Sequence, residues 1–109
     1  MAGTIQNAGK NLMVDSVGQL SGMYLTAWEG TGTTLIAAST STVAFASSSG
    51  GVADITGDAT IAIPSGKTVV RVKLANNTAG SVVYASDTVS YTFTNGGDLI
   101  VESYEISVT

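Results

Sequence analysis

Two pairs of acids are the places in this chain where residue type and spacing could do chemistry: Asp54 with Asp58, and Glu102 with Glu105. Two carboxylates facing each other can hydrolyse a glycosidic bond. Carboxylates flanking a turn such as Thr56-Gly57 can hold Ca²⁺ together with loop carbonyls. Neither pair brings the rest of such a site. The Asp54–Asp58 spacing is not that of an EF-hand loop, and Asp at a turn ordinarily bonds its own backbone. A sugar site needs exposed rings, and alternation sends most of the seven aromatics (Tyr24, Trp28, Phe45, Tyr84, Tyr91, Phe93, Tyr104) towards the core. There is no His, hence neither the commonest general base nor the commonest metal ligand. There is no Cys, hence no disulfide and no thiolate site. No Ser sits in a G-x-S-x-G elbow, and Gly96-Gly97 precedes a strand and not a helix, so no phosphate loop is formed. The expectation is a protein without catalytic activity, cofactor or metal.

The elements that would position these acids are strands. From Asp58 to Thr109 every run is β-branched or aromatic and every gap carries turn residues. Side chains two apart share a face. Ala59, Ile61 and Ile63 therefore share one face, as do Val70, Val72 and Leu74, with Arg71 and Lys73 on a wet side. Val89, Tyr91 and Phe93 face inward against Ser90 and Thr92. Pro64-Ser65-Gly66 and the run Asn76 to Ser81 are turns, and Asn95-Gly96-Gly97-Asp98 is the strongest hairpin signal. The last segment changes phase: Leu99 and Val101 lie on one face, Tyr104, Ile106 and Val108 on the other. That predicts a β-bulge near Glu102-Ser103, the alternative being a strand buried on both faces at its start. Upstream, Met23 to Trp28 reads as the first core strand, with Thr34 to Ala38 and Thr42 to Ala46 as weaker ones. Ser47 to Gly51 reads as an exposed loop.

Turns recurring every ~8–12 residues predict an all-β fold, an antiparallel β-sandwich of Greek-key or jelly-roll type with one short N-terminal helix. Its core is expected to hold Leu25, Ile61, Ile63, Val70, Val72, Leu74, Val89, Tyr91, Phe93, Val101 and Ile106. At 109 residues the chain makes a single domain, 1–109, with an N-terminal arm and helix over 1–22. Asn7 to Leu20 is the helical candidate, capped by Asn7 and ended at Ser21-Gly22; Leu12, Met13, Val17 and Leu20 fall on one stripe, while Gly9 and Gly18 weaken it. Ala2 to Lys10 holds one large apolar side chain, Ile5, too little to order itself alone, so it is expected to dock on a neighbour. Ile5, Asn7 and Lys10 on the arm, with Arg71 and Lys73 on the wet face of their strand, are the candidate interface residues.

Charged residues make up only 11% of the chain and its net charge is −4. Such a charge-poor surface suits a chain packed beside copies of itself or within a larger assembly. Four cations are too few to track phosphates, so nucleic acid is not an expected partner. No run of ~18 apolar residues predicts a membrane span, and the N-terminus lacks signal-peptide character, pointing to synthesis in a host cytoplasm.

The order of motifs resembles a family of small tailed-bacteriophage virion structural proteins of the tail-fibre-like or decoration type. The motifs are Asn11-Leu12-Met13-Val14-Asp15, Gly22 to Thr26, the Pro64 to Val72 turn and strand, the Ala75 to Gly80 turn, and Phe93 to Val101. Leu74-Ala75 replaces an aromatic usual in that family, and Thr34 to Gly57 is shorter and richer in Ser. The resemblance implies a virion protein. No heptads or repeats supply a fibre shaft, so the expected station is capsid decoration or cement. The expected partners are itself, as a homotrimer, and other virion proteins such as the major capsid protein. A tail or fibre-associated part is the first alternative, and a carbohydrate-binding module, with a glycan as ligand, the second.

Overall fold

A computed structural model describes residue 4 and residues 6–108 of the chain. Helix α1 spans Asn7–Gly18, followed by β1 (Tyr24–Glu29), β2 (Thr34–Ala38), β3 (Val52–Asp54), β4 (Ala59–Ile63), β5 (Lys67–Ala75), β6 (Val83–Phe93), β7 (Gly97–Val101) and β8 (Glu105–Ser107). The fold is mostly β, every strand pairing is antiparallel, and the one helix is N-terminal. The strands form one four-stranded sheet, β2-β1-β5-β6, and two pairs, β3-β8 and β4-β7.

Pro64-Ser65-Gly66 and Asn95-Gly96-Gly97 make corners and not hairpins. β4 and β5 do not pair with each other, and neither do β6 and β7. Instead Ile63 pairs with Gly97 and Lys67 with Phe93, so the register carries on unbroken from β4–β7 into β5–β6. The two pairings are one long ribbon folded over at Pro64–Gly66 and Thr94–Gly96. Pro removes a ladder donor there, and Gly96 turns at φ +74° where a Cβ would lie 3.1 Å from the Ile63 carbonyl oxygen. One half of the ribbon joins β1, and the other half lies against β1 and β2.

The core takes residues from all three sheets. Leu25, Ile61, Ile63, Val72, Leu74 and Ile106 are buried, as the alternation implies. Val69 is buried where Val70 was expected, and Val70 is only half-buried. The register with β6 shifts between Val69 and Arg71, where β6 carries an extra residue and the simple alternation fails. Val89, Phe93 and Val101 are half-buried against the core, but Tyr91 is 49% exposed. β6 is an edge strand, and Tyr91 borders a cleft instead of a packed layer.

The phase change near Glu102-Ser103 is not a bulge in one strand. β7 ends at Val101 paired with β4, and β8 begins at Glu105 paired with β3, so the chain changes sheet there. Thr42 to Ala46 is no strand either; Val43 and Phe45 make single bridges to Met23 and Ile55.

α1 starts at Asn7, with Gln6 at the capping position and no side-chain cap, so Asn7 to Lys10 belong to the helix and not to a free arm. Of the rest of the expected arm, Thr4 and Gln6 are exposed, and Ala2, Gly3 and Ile5 lie outside the described residues. The helix buries Val14 and Gly18 and leaves Leu12 and Met13 exposed; Leu20, just beyond its end, is exposed too. Polar bonds fix that rotation: Ser48 N–H donates to Asp15 Oδ1 at 2.9 Å and Gly51 N–H to Asn11 Oδ1 at 2.7 Å. Gly18 lets the helix close on the sheet, since a Cβ there would meet Phe45 Cβ at 3.3 Å. The Ser47 to Gly51 loop is thereby pinned, with Gly51 buried.

Candidate functional site

Asp54 stands at the end of β3, opposite Glu105 of β8. Its carboxylate accepts the Ser103 hydroxyl at 2.8 Å, the Tyr104 N–H at 2.7 Å and its neighbour Ile55 N–H at 2.8 Å. Burial pushes the carboxyl up, but these three donors outweigh it and hold Asp54 below the usual Asp range. The group thus clamps the crossing from β7 to β8. Asp58 takes no part in this clamp and lies exposed after β3. Tyr104 follows the clamp and is buried, with its hydroxyl donating to the Val72 carbonyl at 2.9 Å. Burial, with the nearby Asp87 charge adding to it, pushes the Tyr104 phenol well above its ordinary range. Both perturbed groups thus belong to the joints between sheets.

Glu102 and Glu105 do not face each other across a cleft. Glu102 instead shares with Asp87 a cleft of about 180 Å³ between β6 and β7, walled by Tyr91, Leu99 and Tyr104. A second, more apolar groove of about 400 Å³ lies between α1 and the first residues of β6, with Ile106 and Val108 beneath. Among the described residues no three potential metal-ligating side chains converge.

The interface candidates are not brought together. Asn7 is exposed at the start of α1, and the Lys10 stem lies against Gly51. α1 packs on β3 and β8, whereas Arg71 and Lys73 face the β1–β2 turn. Lys73 Nζ donates to the Gly32 carbonyl at 2.7 Å and sits 4.2 Å above the Trp28 ring. Arg71 reaches the Ser86 hydroxyl at 3.4 Å, and Lys67 pairs with Glu29 at 3.1 Å. The basic strand face is thus largely engaged within the fold. Trp28 is buried beneath Lys73 and the Gly80 turn, and its indole N–H donates to Thr26 Oγ1 at 2.7 Å.

Sequence reasoning missed two things here. Asn11 and Asp15 are the helix anchors, and Leu12 and Met13, placed on one apolar stripe with Leu20, line the open side of the helix. Only the pairing of short polar side chains one turn apart with the Ser-Gly loop could have signalled it. Comparison with protein families, with curated proteins and with solved structures gives no match. No described helix is long and apolar enough to cross a membrane.

Proposed function

We propose that this chain is a non-enzymatic virion structural protein, a capsid decoration or cement subunit that binds the particle surface as an oligomer, as a trimer by the family resemblance. The observation that carries an assembly role is β6. Among the described residues it is the longest strand, eleven residues, and pairs only with β5. Its one charged residue is Asp87, and it has neither Lys nor Pro. An edge this long and this lightly charged is a liability in a free monomer and an asset in a protein whose edge becomes covered. The station on a phage particle rests on the motif resemblance alone. In the same reading, β4-β7 and β3-β8 form the second layer of a sandwich over β2-β1-β5-β6, supported by a core drawing on all three sheets.

A carbohydrate-binding role has two exposed rings in its favour, Tyr91 beside Asp87 and Glu102, and Tyr84 in the groove beside α1. Trp28, the ring best suited to stack on a sugar, is buried and does not support it. Copy number in purified particles tests the main reading. Decoration requires a count that scales with the shell subunits, whereas a tail part requires a count fixed by the tail's symmetry. Absence from the particle would remove both.

A further inference from the structure

Among the described residues, six of the eight large hydrophobic side chains left exposed are Leu12, Met13, Leu20, Val82, Val83 and Tyr84. They belong to one end of the molecule. Met13 and Tyr84 line the same groove between α1 and β6. Leu20 leads within four residues to Tyr24, whose partner across the sheet is Ala75, and Ala75 in turn pairs with Val83. On the helix, Leu12 and Met13 are exposed side by side, and Leu20 follows two residues after the helix ends at Gly18. Leu12 is 74% exposed. An exposed leucine and a groove of about 400 Å³ therefore lie side by side.

Scaled by their exposures, the six side chains present on the order of 600 Å² of surface. That is at the upper end for a lone monomer. It matches the apolar part of a standard interface burying about 800 Å² per partner. No Asp, Glu, Lys or Arg lines the groove. A chain of net charge −4 can meet its own copy there without bringing like charges together.

We infer that this end is the self-association surface, and that the exposed Leu12 of one copy seats in the α1–β6 groove of a second copy. The inference rests on the assembly reading above and names which surface meets which. Sedimentation of the full chain tests it. The wild type is expected to self-associate, and Leu12→Asp to weaken association by at least ~100-fold. That substitution is at an exposed site, so circular dichroism should be unchanged. Ile100→Asp, in the separate cleft lined by Asp87 and Glu102, should associate as wild type does. Because the chain has no Cys, a Leu12→Cys chain mixed with a Tyr84→Cys chain should give a cross-linked heterodimer with a short bismaleimide. A wild type that stays monomeric, a Leu12→Asp variant that associates normally, or no mixed cross-link would each overturn the inference. Particle binding is measured in parallel. If the wild type is monomeric and Leu12→Asp loses particle binding, the surface faces a different protein; the second-copy inference then fails while the virion reading stands.

Discussion

Tyr104 and Asp54 do at the residue scale what the chain lacks disulfides to do: they tie separate strands together. Tyr104 bridges the β7–β8 crossing to β5 through the Val72 carbonyl. Tyr104→Phe should lose about 1 kcal/mol, a drop of a few degrees in melting temperature by calorimetry. Its phenol titrates near pH 10 in the unfolded chain and well above that in the fold. The stabilisation is therefore complete below pH 10 and is lost as pH rises above it, so the wild type should weaken in alkali and Tyr104→Phe should lack that limb. Asp54 has the opposite sign. Its folded carboxyl lies below the ordinary Asp value, so its contribution is full above about pH 4 and is lost as pH falls through the folded value. Asp54→Asn should cost roughly 1 kcal/mol at neutral pH, discounted for solvent at Ser103, and should converge on wild type near pH 2 in urea titrations. Sequence suggested Asp54 as a turn residue that bonds backbone; it ends strand β3 instead, though its carboxylate does accept backbone N–H groups. Its partners fifty residues away were beyond reach, because local spacing carries no information about which distant N–H arrives.

At the element scale the decisive feature is the folded ribbon. Alternation placed most of β4, β5 and β6 correctly, since burial of one face leaves a period of two in the residues themselves. The turn signals also marked where the chain bends. They did not say whether a bend closes a hairpin or turns a corner, because Gly and Pro supply the same local geometry to both. Pairing across the bend, set by the distant β4–β7 and β5–β6 registers, decides it. Gly96→Val tests the corner. It combines φ +74° with Cβ contacts of 3.1 Å to backbone atoms of Ile63 and Ser65, which cannot yield as a side chain would. A cost of about 2–3 kcal/mol is expected by denaturant titration. The exchange protection of Ile63 and Lys67 amides should fall first if the corner is the hinge of the ribbon, and a uniform loss across β1 and β3 would show that it is not.

The whole molecule is drawn out, 52 × 28 × 22 Å, with a radius of gyration of 14.8 Å against the ~13 Å of a compact chain of about this length. An elongated domain with little charge leaves more surface than its core can account for, and β6 runs along that surface. Among the described residues no strand pairs with its outer edge, although the Phe93 carbonyl at its end accepts from the Gly66 and Gly96 N–H groups. The extra residue near Val89 and Ser90 twists it locally but does not cap it. If the edge is where the particle or another subunit adds a strand, a lysine on it should block the addition without disturbing the fold. Thr88 is exposed at the middle of β6, opposite Arg71 of β5. Thr88→Lys should melt within a few degrees of wild type, because an exposed edge residue contributes little to packing. Its binding to particles lacking this protein should drop by at least ~10-fold, read by pelleting with the capsids. Ser41→Lys, exposed but outside every sheet, serves as the control for added charge. Equal binding by both variants would mean that the β6 edge stays in water in the assembled state, and the contact with the particle would have to lie elsewhere on the chain.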